Sequence, residues 1–290
     1  MVADGATKVA VMDLIQEQAR RNTEADAAWR LYAQHRERVT QLLLNARTPT
    51  GERLCLLGAG NLNDLDLAAL SSVFREIVLV DVDTVALRRG LSRQGFAEDA
   101  RFQVLAPTDV SGVFAELSQL ASSQQVREEA IDSCLRAIAQ IPDWAEQVRC
   151  DVVASIGLLT QLIDGVLRSI GESHPRSWEL VSAIRTQHLR LMLKLAIPGG
   201  AAVLVTEVVS SDSCPALLSV GEDKLLELLR REIAARNFFT GTNPAALQEL
   251  LRTEPSLAEQ LSHTQFTEPW LWSFLTRTYA VYALTMRKRG

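Results

Sequence analysis

The stretch Leu54-Cys55-Leu56-Leu57-Gly58-Ala59-Gly60-Asn61 decides how this chain folds, together with Ile77-Val78-Leu79-Val80-Asp81 downstream. In each segment a short apolar run ends abruptly on turn or acidic residues. The first run stops on Gly-x-Gly, a turn that lets a ligand come close to the backbone. A helix opening just after it would aim unpaired N–H groups at that ligand. Asp81 follows Gly60 by 21 residues and ends the second run. A carboxylate at that point accepts hydrogen bonds from the two hydroxyls of a ribose. Its alternative is a turn or capping role, although Asp83 suits the cap of a helix from Thr84 better. The position of the third glycine in the dinucleotide fingerprint is Asn63, which weakens a nicotinamide-cofactor reading.

Outward from this pair, the same rhythm continues. Apolar runs at 102–105, 151–155 and 201–206 alternate with helical patterns near 65–70, 84–89, 111–147, 158–170 and 177–195. Continuous apolar runs bounded by turn residues are strands buried on both faces. Alternation with helices makes their sheet parallel. Pro198-Gly199-Gly200 reads as a sharp stop before the fifth strand. Helices are expected near 220–236 and 244–261. Residues 270–275 and 279–286 read as two strands joined by Thr276-Arg277-Thr278, a hairpin that must pair antiparallel. Before all this, residues 8–48 carry Ala25, Ala28, Trp29, Tyr32, Val39 and Leu43 at helical spacing, and Thr48-Pro49-Thr50-Gly51 ends the pattern. The expected organisation is a helical cap over 1–50 and an α/β domain over 51–290.

The bulk numbers narrow the classes of function. With 290 residues, 47% hydrophobic and 22% charged, the chain can bury a large core without disulfides. A net charge of −5 disfavours nucleic acid, and Arg287-Lys288-Arg289 is the one tight basic run. Cys55, Cys134, Cys150 and Cys214 form no Cys-x-x-Cys pair and read as reduced thiols. The histidines are scattered without metal-ligand spacing, so no metal is expected. There is no apolar stretch of the ~20 residues that spans a bilayer, and no secretory signal, so the expected location is the cytoplasm.

The whole arrangement resembles the class I S-adenosylmethionine (SAM)-dependent methyltransferase family. The matching segments are LCLLGAGN (54–61), IVLVDVD (77–83), APTDVSG (106–112), CDVVASIGLLTQL (150–162), IPGGAAVLVTEVV (197–209) and the closing hairpin. The resemblance covers residues 50–290. It implies a doubly wound seven-stranded, mostly parallel sheet in the order 3-2-1-4-5-7-6 with the seventh strand antiparallel. It also implies SAM as cofactor and a cofactor-binding set of Gly58, Ala59, Gly60, Asn61, Asp64, Asp81, Val82, Asp109, Val110 and Ser155. Asp109 has two readings, a partner of the adenine amino group or the cap of the helix from residue 111. Asp64 and Asp66 either meet the methionine ammonium or are first-turn acids favoured by the helix dipole. The family pattern has an acid at the position of Leu56 and a glycine at that of Leu62.

The implied activity is in-line methyl transfer to a small molecule. Ser155-Ile156-Gly157-Leu158 lacks the motif of nucleic-acid amino methylation. The rival readings are an NAD(P)-dependent oxidoreductase and an inactive binding or regulatory protein on the same fold. Methyl transfer needs placement and removal of a proton. Glu207, just past the fifth strand, is the candidate catalytic base; His174, His188 and His263 are the others. Trp270 and Trp272 would supply an aromatic wall. The segment from Phe238 to Pro244 reads either as a substrate lid or as a turn between helices, with Asn243 capping and Pro244 in first helical position.

Overall fold

The computed structural model describes residues 11–26, 28–122 and 126–290. Two helices, α1 (Val11–Asp26) and α2 (Ala33–Ala46), precede β1 (Arg53–Leu57). There follow α3 (Leu67–Ser71), β2 (Glu76–Val80), α4 (Thr84–Arg93), β3 (Phe102–Leu105), α5 (Phe114–Ser122), α6 (Glu128–Ile138), β4 (Cys150–Ile156), α7 (Leu158–Ile170), α8 (Ser177–Leu195) and β5 (Ala196–Ser210). The chain closes with α9 (Glu222–Ala234), α10 (Pro244–Thr253), α11 (Pro255–Ala258), β6 (Leu261–Phe266), β7 (Trp270–Phe274) and β8 (Arg277–Lys288).

The sheet runs β3-β2-β1-β4-β5-β8-β6, and β7 also pairs with β8. Strands β1 to β5 are parallel, and β8 lies antiparallel between β5 and β6. This is the expected doubly wound order, with one refinement at the edge. β6 pairs with the end of β8 at Leu284–Lys288, and β7 with its start at Arg277–Val281. Since β5 covers the other side of β8, β6 and β7 form one edge strand interrupted at 267–269. Pro269 cannot donate to a ladder, and Thr267 spans the gap by bonding Ala283 through both its N–H and its hydroxyl.

Two expectations need correction. The helix expected over 244–261 ends at Ala258, because Pro255 starts a separate turn and Leu261 already belongs to β6. The stop at Pro198-Gly199-Gly200 lies inside β5 as a register irregularity opposite Cys150–Val152, with Gly199 at φ +77°.

Alternation sorts the strands between two core layers. Cys55, Leu57, Val78, Val80, Ala202 and Leu204 face α5–α8 and the later helices. Leu54, Leu56, Ile77, Leu79, Ala201 and Val203 face the layer of α2, α3 and α4. Each fully buried aliphatic chain contributes about 1.5–3 kcal/mol. Both faces being covered explains why the runs look unpatterned in sequence. Val39 and Leu43 of α2 are fully buried in the second layer, so this helix is built into the core. α1 passes over the carboxyl ends of the strands.

Candidate functional site

The turn after β1 is fixed by backbone conformation and one carboxylate. Gly58, Gly60 and Leu62 sit at φ +65°, +50° and +59°. The first two are the residues that tolerate this region. Leu62 adopts it without a glycine's freedom and is fully buried. Gly58 and Ala59 donate to Val80 O at 2.9 and 3.3 Å, tying the turn to β2. Asp81 accepts from Gly60 N at 2.7 Å through Oδ2 and from Asp83 N at 2.8 Å through Oδ1. It is 7% exposed. Burial pushes its pKa up, and the N–H groups of Asp83 and Gly60 pull it partly back. Asp83 caps α4 through Val85 N and Ala86 N, as its position predicts. At Gly90 a Cβ would fall 2.4 Å from Asn61 O, so only glycine lets α4 pass this close to the turn.

Asp81 and Val82 open on a narrow cleft with Val110, Phe114 and Leu162, of about 50 Å³. A water's share of liquid volume is about 30 Å³, so the cleft is too tight for a nucleoside in this conformation. Asn22 of α1 holds it shut. Its Nδ2 donates to Asp83 Oδ2 at 3.0 Å, Asn61 Nδ2 donates to its carbonyl at 3.1 Å, and a Cβ on Gly60 would lie 3.0 Å from its Oδ1.

Beside the cleft lies a cavity of about 710 Å³, whose lining includes Gly58, Ala59 and Gly60 of the turn and Glu207. Glu207 is 8% exposed and accepts from Thr160 Oγ1 at 2.9 Å. Burial raises its pKa. Its own N–H, Thr160 and His35 oppose the rise, and Asp64 adds to it. Asp64 lines the same cavity, with its Oδ1 3.2 Å from His35 Nε2. Trp270 Nε1 donates to His35 Nδ1 at 3.1 Å. An indole N–H can only donate, so Nδ1 is the bare nitrogen and Nε2 carries the proton. His35 stacks on Trp272 at 4.7 Å between ring centroids, and Trp272 on Tyr279 at 5.2 Å, while Tyr32 meets Trp272 edge-on. Burial, then Asp64 and Glu207, drive the Tyr32 phenol well above its ordinary pKa.

The sequence candidates divide clearly. Gly58, Ala59, Gly60, Asn61, Asp64 and Glu207 line the cavity; Asp81, Val82 and Val110 line the cleft. Asp109 lines neither. Its oxygens accept from the N–H and hydroxyl of Ser111 and from Phe114 N, the capping alternative. Ser155 is turned away into the core, where its hydroxyl lies 2.8 Å from His188 Nε2. Asp66 caps α3 through Ala69 N. His174 bonds Arg176 N in the turn before α8, and His263 lies on the edge strand β6; neither reaches the cavity, and neither does His188. Phe238 and Phe239 line the cavity, while Asn243 caps α10 with Pro244 in its first turn, so the segment divides between its two readings. Tyr32 and His35 were missed. The one hint in the sequence is that His35 interrupts the apolar stripe Tyr32–Val39–Leu43 at helical spacing, which marks a buried histidine but not a cavity. Among the described residues there is no cluster of three metal-ligating side chains and no helix long and apolar enough to cross a membrane.

No protein-family model matches the sequence, and no curated protein does. Among solved structures the chain is similar to the N-methyltransferase NodS from Bradyrhizobium japonicum in complex with S-adenosyl-L-homocysteine, at 14% identity over 96% of this chain and 99% of that one, with a TM-score of 0.49. It is similar to an O-methyltransferase family protein from Burkholderia thailandensis, at 15% identity over 97% of this chain and 63% of that one, TM-score 0.49. The YcgJ protein from Bacillus subtilis gives 12% identity, 86% and 97% coverage, and TM-score 0.43. At such identities the likeness concerns fold and says nothing of substrate.

Proposed function

We propose that the protein is a SAM-dependent methyltransferase acting on a small molecule. One observation carries this reading: a single cavity joins the Gly58-Ala59-Gly60 turn to the buried carboxylate of Glu207. A ligand held at the turn therefore lies beside a group able to take a proton.

The residues fit the adenosyl cofactor chemically. Asp81 accepts one backbone N–H at each oxygen and keeps lone pairs for two ribose hydroxyls. Val82 and Val110 offer apolar surface to the adenine, and Asn61 and Asp64 stand where the methionine end would lie. Asp109 has no part in this scheme, because both oxygens are engaged locally. Space is the one shortfall, and Asn22 must give way first. Bound SAM would supply an electrophilic methyl group on a sulfonium. The chain does the rest: Glu207 accepts the acceptor's proton, while Tyr32, Trp272 and Tyr279 exclude water and orient the acceptor. A volume of 710 Å³ falls in the small-ligand range of ~300–1,000 Å³.

Calorimetry tests the cofactor. SAM or S-adenosylhomocysteine should bind at micromolar affinity, about −8 kcal/mol, and NAD should not bind. NAD binding with none for SAM would overturn the reading in favour of the oxidoreductase. SAM binding without turnover on any acceptor would favour a regulatory protein.

A further inference from the structure

We propose that the acceptor is an amine, bound as its ammonium ion against Glu207, with an aryl or alkyl body along the aromatic wall. This rests on the methyltransferase reading and narrows it to one acceptor chemistry.

The charge layout of the cavity carries the argument. Glu207 and Asp64 face the same space, and the charge of Asp64 disfavours that of Glu207. A buried carboxylate is costly without a cation beside it. The guanidinium groups lining the cavity are already paired: Arg20 with Glu24, Arg21 and Arg168 with Asp164, and Arg277 with Tyr279 and Asp212. Among the described residues, Glu207 has only the Thr160 hydroxyl and its own backbone N–H as hydrogen-bond donors, and neighbouring His35 is held with Nδ1 bare. His35 Nε2, on a side chain only 3% exposed, has no hydrogen-bond acceptor of its own, because Asp64 at 3.2 Å lies off its line. Around Glu207 the cavity is thus short of hydrogen-bond donors, and its guanidinium cations are already paired with other groups. An ammonium supplies the cation. An alcohol supplies one neutral hydrogen bond, and a carboxylate or phosphate is repelled by both acids. Phe239, Phe274, Trp272, Tyr32 and Tyr279 give the body of the ligand an apolar bed.

The reaction balances on these groups. An N–H proton of the ammonium passes to Glu207, freeing the nitrogen lone pair. The lone pair forms the new N–C bond to the methyl carbon as the C–S bond breaks, and that bonding pair stays on sulfur. The sulfonium becomes a neutral thioether, and the positive charge ends on the methylated nitrogen.

The test compares matched probes on the full chain by calorimetry at neutral pH: phenethylamine against 2-phenylethanol, and benzylamine against benzyl alcohol and aniline. Aniline is uncharged at that pH. The charged amines should bind at least about ten-fold more tightly than their neutral counterparts, as charge-assisted hydrogen bonds are roughly twice as strong as neutral ones. Glu207→Gln, with folding checked by circular dichroism, should erase most of that preference and leave the alcohols nearly unchanged. Equal or tighter binding of the alcohols or aniline overturns the proposal, as does absence of amine binding at millimolar concentration; both results are read on the unsubstituted chain. A separate SAM titration keeps the two readings apart. Amine preference without SAM binding sinks the methyltransferase but not the ammonium site. SAM binding with alcohol preference does the reverse.

Discussion

Asp81 and Leu62 show how single residues shape the turn after β1. Sequence position alone puts Asp81 at the cleft, and the structure gives it a second duty as acceptor for Gly60 and Asp83. Asp81→Ala should therefore lower both SAM affinity and thermal stability. Loss of charged hydrogen bonds costs about 1.5–3 kcal/mol each, so the melting temperature should fall along with the calorimetric affinity. A variant that loses affinity at unchanged stability would show the two backbone bonds to be dispensable. Leu62 is the opposite case. A glycine there would relieve roughly 1–2 kcal/mol of left-handed strain, but removing a fully buried leucine costs roughly 2–5 kcal/mol. Leu62→Gly should thus destabilise the chain in chemical denaturation, by up to about 4 kcal/mol; a stabilised variant would mean the strain dominates. At this scale legibility followed geometry. Gly58, Gly60 and Asp81 could be found because local chain direction sets their roles. Tyr32 and His35 could not be placed from spacing alone, since their roles depend on Trp270 and Trp272, more than two hundred residues away.

Among the elements, the five parallel strands were legible because burial makes each an apolar run, as at 54–57, 77–80 and 201–205. β6 was not. In Leu261–Phe266 the outward residues are Ser262, His263 and Gln265, so an edge strand with few apolar anchors reads as the tail of the preceding helix. β5 was placed but shortened, since a bulge at Gly199 looks like a terminator when its partner strand is unseen. α1 has the most direct bearing on function. Asn22 bonds Asp83 and crowds Gly60 while Arg21 bonds Asp164 of α7 at 2.7 Å, so the helix lies where a nucleoside must enter. Asn22→Ala removes the contact that holds the cleft at 50 Å³. Association of S-adenosylhomocysteine, followed by stopped-flow fluorescence, should then speed up roughly five- to ten-fold, the equivalent of about 1 kcal/mol in the barrier. An unchanged or slower rate would show that α1 does not gate the cleft.

Across the whole molecule, the two core layers meet at a sheet carrying a buried polar pair on its α8 side. Ser155 of β4 and His188 of α8 are both fully buried and 2.8 Å apart, and His188 Nδ1 has no hydrogen-bond partner. Neither strand nor helix periodicity reveals such a pair, because each residue stands alone in its own element. Burial lowers the His188 pKa from 6.5 to about 4, so the folded chain keeps the ring neutral. The unfolded chain binds the proton more readily. Stability from this group is therefore complete above pH 6.5 and is lost as the pH falls toward 4. The loss amounts to about 3 kcal/mol. Glu207 works in the opposite sense, since its raised pKa favours the folded state at low pH and costs stability as the pH rises above 4.5. Between pH 6.5 and 4.5 the two groups oppose each other, because the folded chain's glutamate keeps a proton that the unfolded chain has lost, while the unfolded chain's histidine takes one that the folded chain refuses. The histidine is therefore read by difference: the urea midpoint of the unsubstituted chain, relative to that of His188→Gln, should decline as the pH falls across that interval, with the variant the less stable at neutral pH. A difference that stays constant with pH would assign the acid sensitivity to other groups, and would mean that the Ser155–His188 pair can be protonated without opening the core.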